Sequence, residues 1–302
     1  MIARSAEASG IWGWLLAKKK IYYKNSAGRM IDLSAYPIRI RQKSSGFSTY
    51  EWEVDETELA MGSRVNGFSK RAYTADMVID FSGSRSQRAE ALQAFYEITE
   101  YDVRRKMDGA DAIGRIYVDN QYIECYIITS EPQYYDDRFR TLGKKCSLYV
   151  PYPFWIEDVT THFQPSGSGS VYPYLDYAYD YGYDYSQRSS GTDVINNAHF
   201  VSSGFQIVIY GPCVDPYVTI GGITYKVNTT VLEGEHLTIN SVDKTVQRMQ
   251  VRGTVINEFN NRAKDGVSIF TPIGPGRQSV VWPGTFGFDV ILRQERSELK
   301  WQ

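Results

Sequence analysis

The chain has 302 residues, 42% hydrophobic and 23% charged, with a formal net charge of −2. That length accommodates two domains of roughly 100–200 residues each, and the near-zero charge argues against tight, charge-driven binding of nucleic acid, which needs a basic face. Three cysteines, Cys125, Cys146 and Cys213, are an odd number, widely spaced and without CxxC spacing; they indicate neither a disulfide framework nor a zinc site and read as buried thiols.

Residues 11–17 form an apolar run too short to span a bilayer, and Lys18, Lys19 and Lys20 follow it where a signal peptide would carry its basic residues in front. Residues 1–19 therefore read as an N-terminal extension with no membrane insertion. Short β-like runs at 21–23 and 31–33 flank the turn-prone Asn25-Ser26-Ala27-Gly28, and an apolar run at 78–81 stops at Ser82-Gly83. One helix is predicted. Ser84 and Gln87 fit a capping box, Ala91, Leu92, Phe95, Tyr96 and Thr99 recur at helical spacing, Arg88, Glu97 and Arg104 occupy the opposite face, and Gly109 ends the pattern. Strands at 114–118 and 122–129 are separated by the hairpin pair Asp119-Asn120.

Pro151 and Pro153 interrupt regular structure, and QPSGSGS at 164–170 is linker-like. The stretch 172–185 (YPYLDYAYDYGYDY) has seven tyrosines in fourteen residues, Tyr172, Tyr174, Tyr177, Tyr179, Tyr181, Tyr183 and Tyr185. From Tyr177 they alternate with small or acidic residues, which in an extended chain gives one aromatic and one acidic face. Residues 177–185 would then reach roughly 30 Å at about 3.3 Å per residue. Those seven tyrosines are the candidate partner interface, with a sugar-stacking platform as the competing reading. From residue 205 onward, short strands and turns at Gly211-Pro212, Gly221-Gly222, Glu233-Gly234 and Pro283-Gly284 have the cadence of an antiparallel sandwich. The fold class is thus mainly β: a β domain with one helix at 20–155, a crossover with the tyrosine-rich segment at 156–198, and a β-sandwich at 199–302.

Bond chemistry finds little support. His162, His199 and His236 lack metal-ligand spacing, no serine sits in a GxSxG elbow, and Gly274-Pro275-Gly276-Arg277 lacks the GK[ST] of a phosphate cradle. No catalytic residue, metal or cofactor is assigned. Paired carboxylates, Asp136 with Asp137 or the series Asp176, Asp180 and Asp184, leave open a hydrolase or a cation site, although acidic residues more often form a solvated face.

Several segments resemble the distal tail protein family of siphophages. KKIYYKNSAGRMIDLS is similar to that family's first strand pair and SLYVPYPFWIED to its crossover. GFQIVIYGPCVDPYVTIGGITYKVN, LEGEHLTINSVDKTV, VINEFNNR, SIFTPIGPGRQSVVWPGTFGFDVIL and ERSELKW are similar to its second domain. Leu299 stands where the family has proline, and residues 1–19 precede the resemblance. The resemblance implies a virion structural protein at the distal end of the tail, assembled in the host bacterial cytoplasm. It implies a hexameric ring formed by the first domain, with an outward-facing, galectin-like second domain. Implied partners are the tail tube protein, the tip or hub protein, the tape measure protein and receptor-binding components, with DNA passing through the channel unbound. The alternative is a carbohydrate-binding sandwich for attachment to the host wall.

Overall fold

The computed structural model describes residues 19–41, 50–166, 191–264 and 266–300. Within these the chain is predominantly antiparallel β, with one α-helix, and it divides into two compact units. The first comprises the described residues up to Ile156 and those from Glu295; the second comprises those in 157–294.

In the first unit, β1 (Ile21–Lys24), β2 (Met30–Asp32), β3 (Ser34–Ala35) and β4 (Ile38–Ile40) precede a hairpin of β5 (Glu53–Glu58) and β6 (Ser63–Ser69). Then come β7 (Tyr73–Ser82), α1 (Arg85–Met107), β8 (Gly114–Val118), β9 (Gln121–Asp136) and β10 (Thr141–Val150). The order β2-β1-β8-β9 makes one sheet and β3-β4-β7-β10-β9 another, so β9 serves both. Its residues 121–125 pair with β8 and its residues 126–136 with β10. A register shift sits at Gly143/Lys144. There the ring of Tyr134 covers Gly143 so closely that any β-carbon would lie 1.9 Å from it, an aromatic filling the space left by a strand glycine.

Helix α1 begins as the sequence predicts. Gln87 N donates to Ser84 Oγ at 3.3 Å and Ser84 N donates to Gln87 Oε1 at 2.9 Å, two free amides satisfied reciprocally. It ends at Gly109, whose φ of 80° suits glycine. The buried face is Ala91, Phe95, Ile98, Thr99 and Asp102; Leu92 and Tyr96, from the predicted stripe, pack at its margin. Asp102 is the unpredicted member. Fully buried, it accepts from Tyr23 Oη at 3.3 Å and from Ser26 N and Oγ at 3.0 and 2.5 Å. Asn25 Nδ2 adds a bond to the Ile98 carbonyl at 3.3 Å, so the β1–β2 turn is clamped to the helix by buried polar pairs.

The sequence assigns 199–302 to the second domain, but the residues from Glu295 join the first unit. Leu299 is 3% exposed in that unit's core, and Lys300 N donates to Gln121 Oε1 at 2.8 Å. The assignment of 156–198 to a crossover also differs, since its described parts, most of β11 (Trp155–Phe163) and all of β12 (Gly191–Asn197), belong to the second unit.

The second unit continues with β13 (Gly204–Tyr210), β14 (Cys213–Val214), β15 (Tyr217–Ile220), β16 (Ile223–Lys226), β17 (Thr230–Val231) and β18 (His236–Asn240). After these come β19 (Thr245–Met249), β20 (Val255–Asn257), β21 (Gly276–Trp282) and β22 (Phe288–Arg296), the last two residues of which belong to the first unit. Sheet β12-β21-β15-β16 shares one apolar core with strands β20-β19-β18-β13-β22. Strict alternation explains this: in β13, Phe205, Ile207 and Ile209 point inward while Gln206 and Val208 do not. At its centre Phe163 stacks on Phe288 at 4.6 Å, with Trp282 edge-on to Phe288 at 5.3 Å.

Candidate assembly surface

The feature of the first unit that its core does not explain is the β5–β6 hairpin. Among the described residues its two strands pair only with each other. Nothing in the sequence from 53 to 69 alternates apolar with polar on a buried face, and almost every residue of both strands is exposed. A lone two-stranded ribbon is marginally stable in water, so it needs either cross-links of its own or a surface to lie on.

It has the first in part. Arg71 Nε pairs with Glu53 Oε2 at 2.8 Å at the stem, and further out Ser63 Oγ donates to Glu56 and Asn66 Nδ2 to Thr57 Oγ1. At the base, Lys70 Nζ lies 4.9, 4.7 and 4.5 Å from the ring centroids of Tyr50, Trp52 and Phe154 and donates to the Pro153 carbonyl at 3.3 Å. Burial pushes the Lys70 ammonium below its ordinary pKa, and each ring contributes roughly 0.5–1 kcal/mol of cation–π attraction. This cage fastens the hairpin to the segment after β10. Replacing Lys70 by methionine keeps the stem's length but removes the charge. Amide exchange in β5 and β6 should then quicken about tenfold while β7 and β10 stay protected; equal exchange in both proteins would show that the cage does not hold the arm.

The second requirement is visible as an apolar stripe. Val54 and Phe68 are cross-strand partners, with Trp52 edge-on to Phe68 at 6.4 Å. Val65, opposite Glu56, continues the same face beyond a register shift that leaves Asn66 as the extra residue, and Leu59 and Met61 lie at the turn. Phe68 is 64% and Met61 94% exposed. The opposite face of β5 carries Glu53 and Asp55, while Glu56 and Glu58 follow Val54 along the face that bears the stripe and edge it with charge. Stripe and charge together suit docking against protein.

The sequence-predicted groups fall as follows. Tyr172, Tyr174, Tyr177, Tyr179, Tyr181, Tyr183 and Tyr185, and Asp176, Asp180 and Asp184, lie outside the described residues. Asp136 accepts from the backbone amides of Arg138 and Phe139 at 2.9 and 3.4 Å, the work of a turn residue, and Asp137 is exposed beside it. His162 Nδ1 lies 2.7 Å from Asp289, whose other oxygen accepts from Tyr210 at 2.8 Å, and His236 is the β18 partner of Tyr210. Two histidines that are distant in sequence thus share a face of the second unit, whereas His199 is buried. No group of three metal-binding side chains forms among the described residues. Cys125 and Cys146 are buried and Cys213 is half-buried; burial raises all three thiols, Cys213 to about 11. No helix among the described residues is long and apolar enough to cross a membrane. The hairpin itself was invisible to periodicity; the signals that mark it are a concentration of acid in one strand and glycine at the turn.

No protein-family description matches the chain, and no curated protein matches its sequence. Solved structures do. The Dit protein of phage SPP1, described as a paradigm of the hub adsorption apparatus in phages infecting Gram-positive hosts, is 11% identical. It superposes with a TM-score of 0.52, covering 91% of this chain and 99% of that one. A chain of the phage P2 baseplate in its activated conformation with Ca is 12% identical, with a TM-score of 0.56 over 92% of this chain and 99% of that one. The Sr form of that baseplate gives the same values. The chain therefore has the fold of these phage hub and baseplate proteins across both units.

Proposed function

We propose that the chain is a non-enzymatic structural component of a phage or phage-derived tail tip, a hexameric ring that joins the tail tube to the tip machinery around a central channel. The observation that carries this reading is the β5–β6 hairpin, an arm with an exposed apolar stripe and, among the described residues, no further partner strand. The likeness to hub and baseplate proteins over more than nine-tenths of the chain supports it. A closed ring needs two different, complementary surfaces on each subunit, and a protruding ribbon that meets a neighbour is an economical way to supply one of them. The partners are further copies of the chain, the tube protein, the tip or hub protein, the tape measure protein and receptor-binding components. Near-neutral charge lets DNA pass without sticking.

Electron microscopy and light scattering of the purified chain test this. Rings are expected, and a strictly monomeric chain with no affinity for tube or tip proteins would overturn the reading. Substituting serine for both Val54 and Phe68 should abolish rings while shifting the melting temperature by no more than about 2 °C, since exposed positions contribute little to folding. Rings that persist in that variant would move the interface off the hairpin.

A further inference from the structure

At the end of the first unit where α1 begins, the β9–β10 turn brings together a surface of a different kind. Arg88 Nη1 donates to the carbonyls of Gly83 and Arg140 at 2.7 and 2.8 Å, and its guanidinium lies 5.3 Å from the ring centroid of Tyr135. Arg138 and Arg140 are exposed in the turn itself, and Arg85 is exposed one helical turn before Arg88. Among the described residues no carboxylate is ion-paired with any of these four arginines, as is also the case for scattered arginines such as Arg39, Arg64 and Arg277; here four are gathered on one surface. Asp136 is spent on the turn amides. Three aromatics stand out of the same surface: Tyr36, 63% exposed and bonded through its hydroxyl to Gln87, Tyr135, 52% exposed, and Phe139, 73% exposed. Arginine and tyrosine are the residue types that dominate protein interfaces, through bidentate pairing and ring stacking.

One segment of the sequence is the chemical complement of this surface. Residues 172–185 contain seven tyrosines, Asp176, Asp180 and Asp184, and no lysine, arginine or histidine. We propose that the arginine and aromatic surface formed by the β9–β10 turn and the start of α1 receives residues 172–185 of a second copy of the chain. The aspartates would pair with Arg138, Arg140 and Arg85, and the tyrosine rings would lie against Tyr36, Tyr135 and Phe139. The choice of a second copy rests on the ring reading above: two unlike, mutually complementary surfaces on one polypeptide are what a head-to-tail interface requires.

The test uses a labelled synthetic peptide of residues 170–187 titrated into the full chain. The receptor carries Asp176→Lys, Asp180→Lys and Asp184→Lys so that its own segment does not compete. Saturable binding is expected, weakened at least about tenfold by adding Arg138→Glu and Arg140→Glu and weakened by salt, as an ion-paired contact must be. Circular dichroism confirms that the reversed receptor is folded. Equal binding to both receptors, no binding to either, or preference for a peptide spanning the acidic strand β5 would overturn the proposal. Ring formation is read separately by electron microscopy. Rings without peptide binding leave the proposed function standing and remove this contact; peptide binding by a chain that stays monomeric at every concentration removes the second copy as its source.

Discussion

Replacing Asp102 by alanine will lower the stability of the first unit by about 3 kcal/mol, a melting shift of roughly 10 °C for a unit of this size. Asp102 is wholly buried, and its carboxylate is the shared acceptor for the Tyr23 hydroxyl and for the amide and hydroxyl of Ser26. Truncation strands the Tyr23 hydroxyl in a site with 0% exposure and releases the β1–β2 turn from the helix. Asparagine retains an acceptor and should cost about 1 kcal/mol. Gly114→Ala strikes the same cluster from the other side, because a β-carbon there would sit 1.8 Å from Tyr23 Oη and 2.8 Å from Asp102 Oδ2. With both substitutions present the loss should fall short of the sum, as it does for residues sharing one network. Thermal denaturation followed by tryptophan fluorescence measures all four proteins; an alanine variant as stable as the native chain would mean that the buried carboxylate does not clamp the helix.

The second unit has its own buried polar joint, and it makes stability depend on pH. Arg248 Nη1 and Nε donate to Glu235 and Glu258 at 2.8 Å each, and both carboxylate side chains are 4% exposed. The Leu232 amide and Arg248 hold the Glu235 carboxyl below its ordinary pKa of 4.5. Burial pushes Glu258 upward, but hydrogen bonds from Arg248, Asn261 and Thr229 outweigh it and also leave that group lowered. Carboxyls with lowered folded-state pKa bind fewer protons when folded than when unfolded, so they stabilise the fold above about pH 4.5 and cease to do so as pH falls through the folded values. Arg248→Leu leaves two nearly buried acids facing each other without a cation. The melting temperature at pH 7 should fall by about 5–10 °C, and the acid limb should invert, with stability rising as pH drops from 6 toward 4 because protonation now relieves the repulsion. Melting curves of both proteins across that range check the prediction, and an unchanged pH profile would remove the triad from the account.

Much of the β framework could be read from the residues because turn chemistry is local. Asp119, Gly221, Gly222 and Gly234 all adopt positive φ in turns that the sequence marks, and alternation in 205–210 and 236–240 matches β13 and β18 to within a residue. The capping box at Ser84 likewise depends on neighbours only three positions apart. What escaped was set by distant partners. Asp102 looks like part of a solvated helix face until Tyr23 and Ser26, some 76 positions away, are brought against it. The outer half of β9 carries exposed residues and in β10 the adjacent Lys144 and Lys145 break the alternation, which obscures their period, and β5 is so acidic that no apolar repeat announces a strand. The arginine surface is invisible for the same reason, since Arg85 and Arg88 reach Arg138 and Arg140 only through the fold. The tyrosine-rich stretch, the clearest signal in the sequence, is a matter for the peptide experiment.

The return of residues 295–300 to the first unit has a consequence for biosynthesis. Leu299 completes a core whose other members all precede residue 156, yet the ribosome makes it only after the 138 residues of 157–294. Leu292 likewise completes the sandwich core only seven residues before Leu299, so the last buried side chains of both units are made almost together.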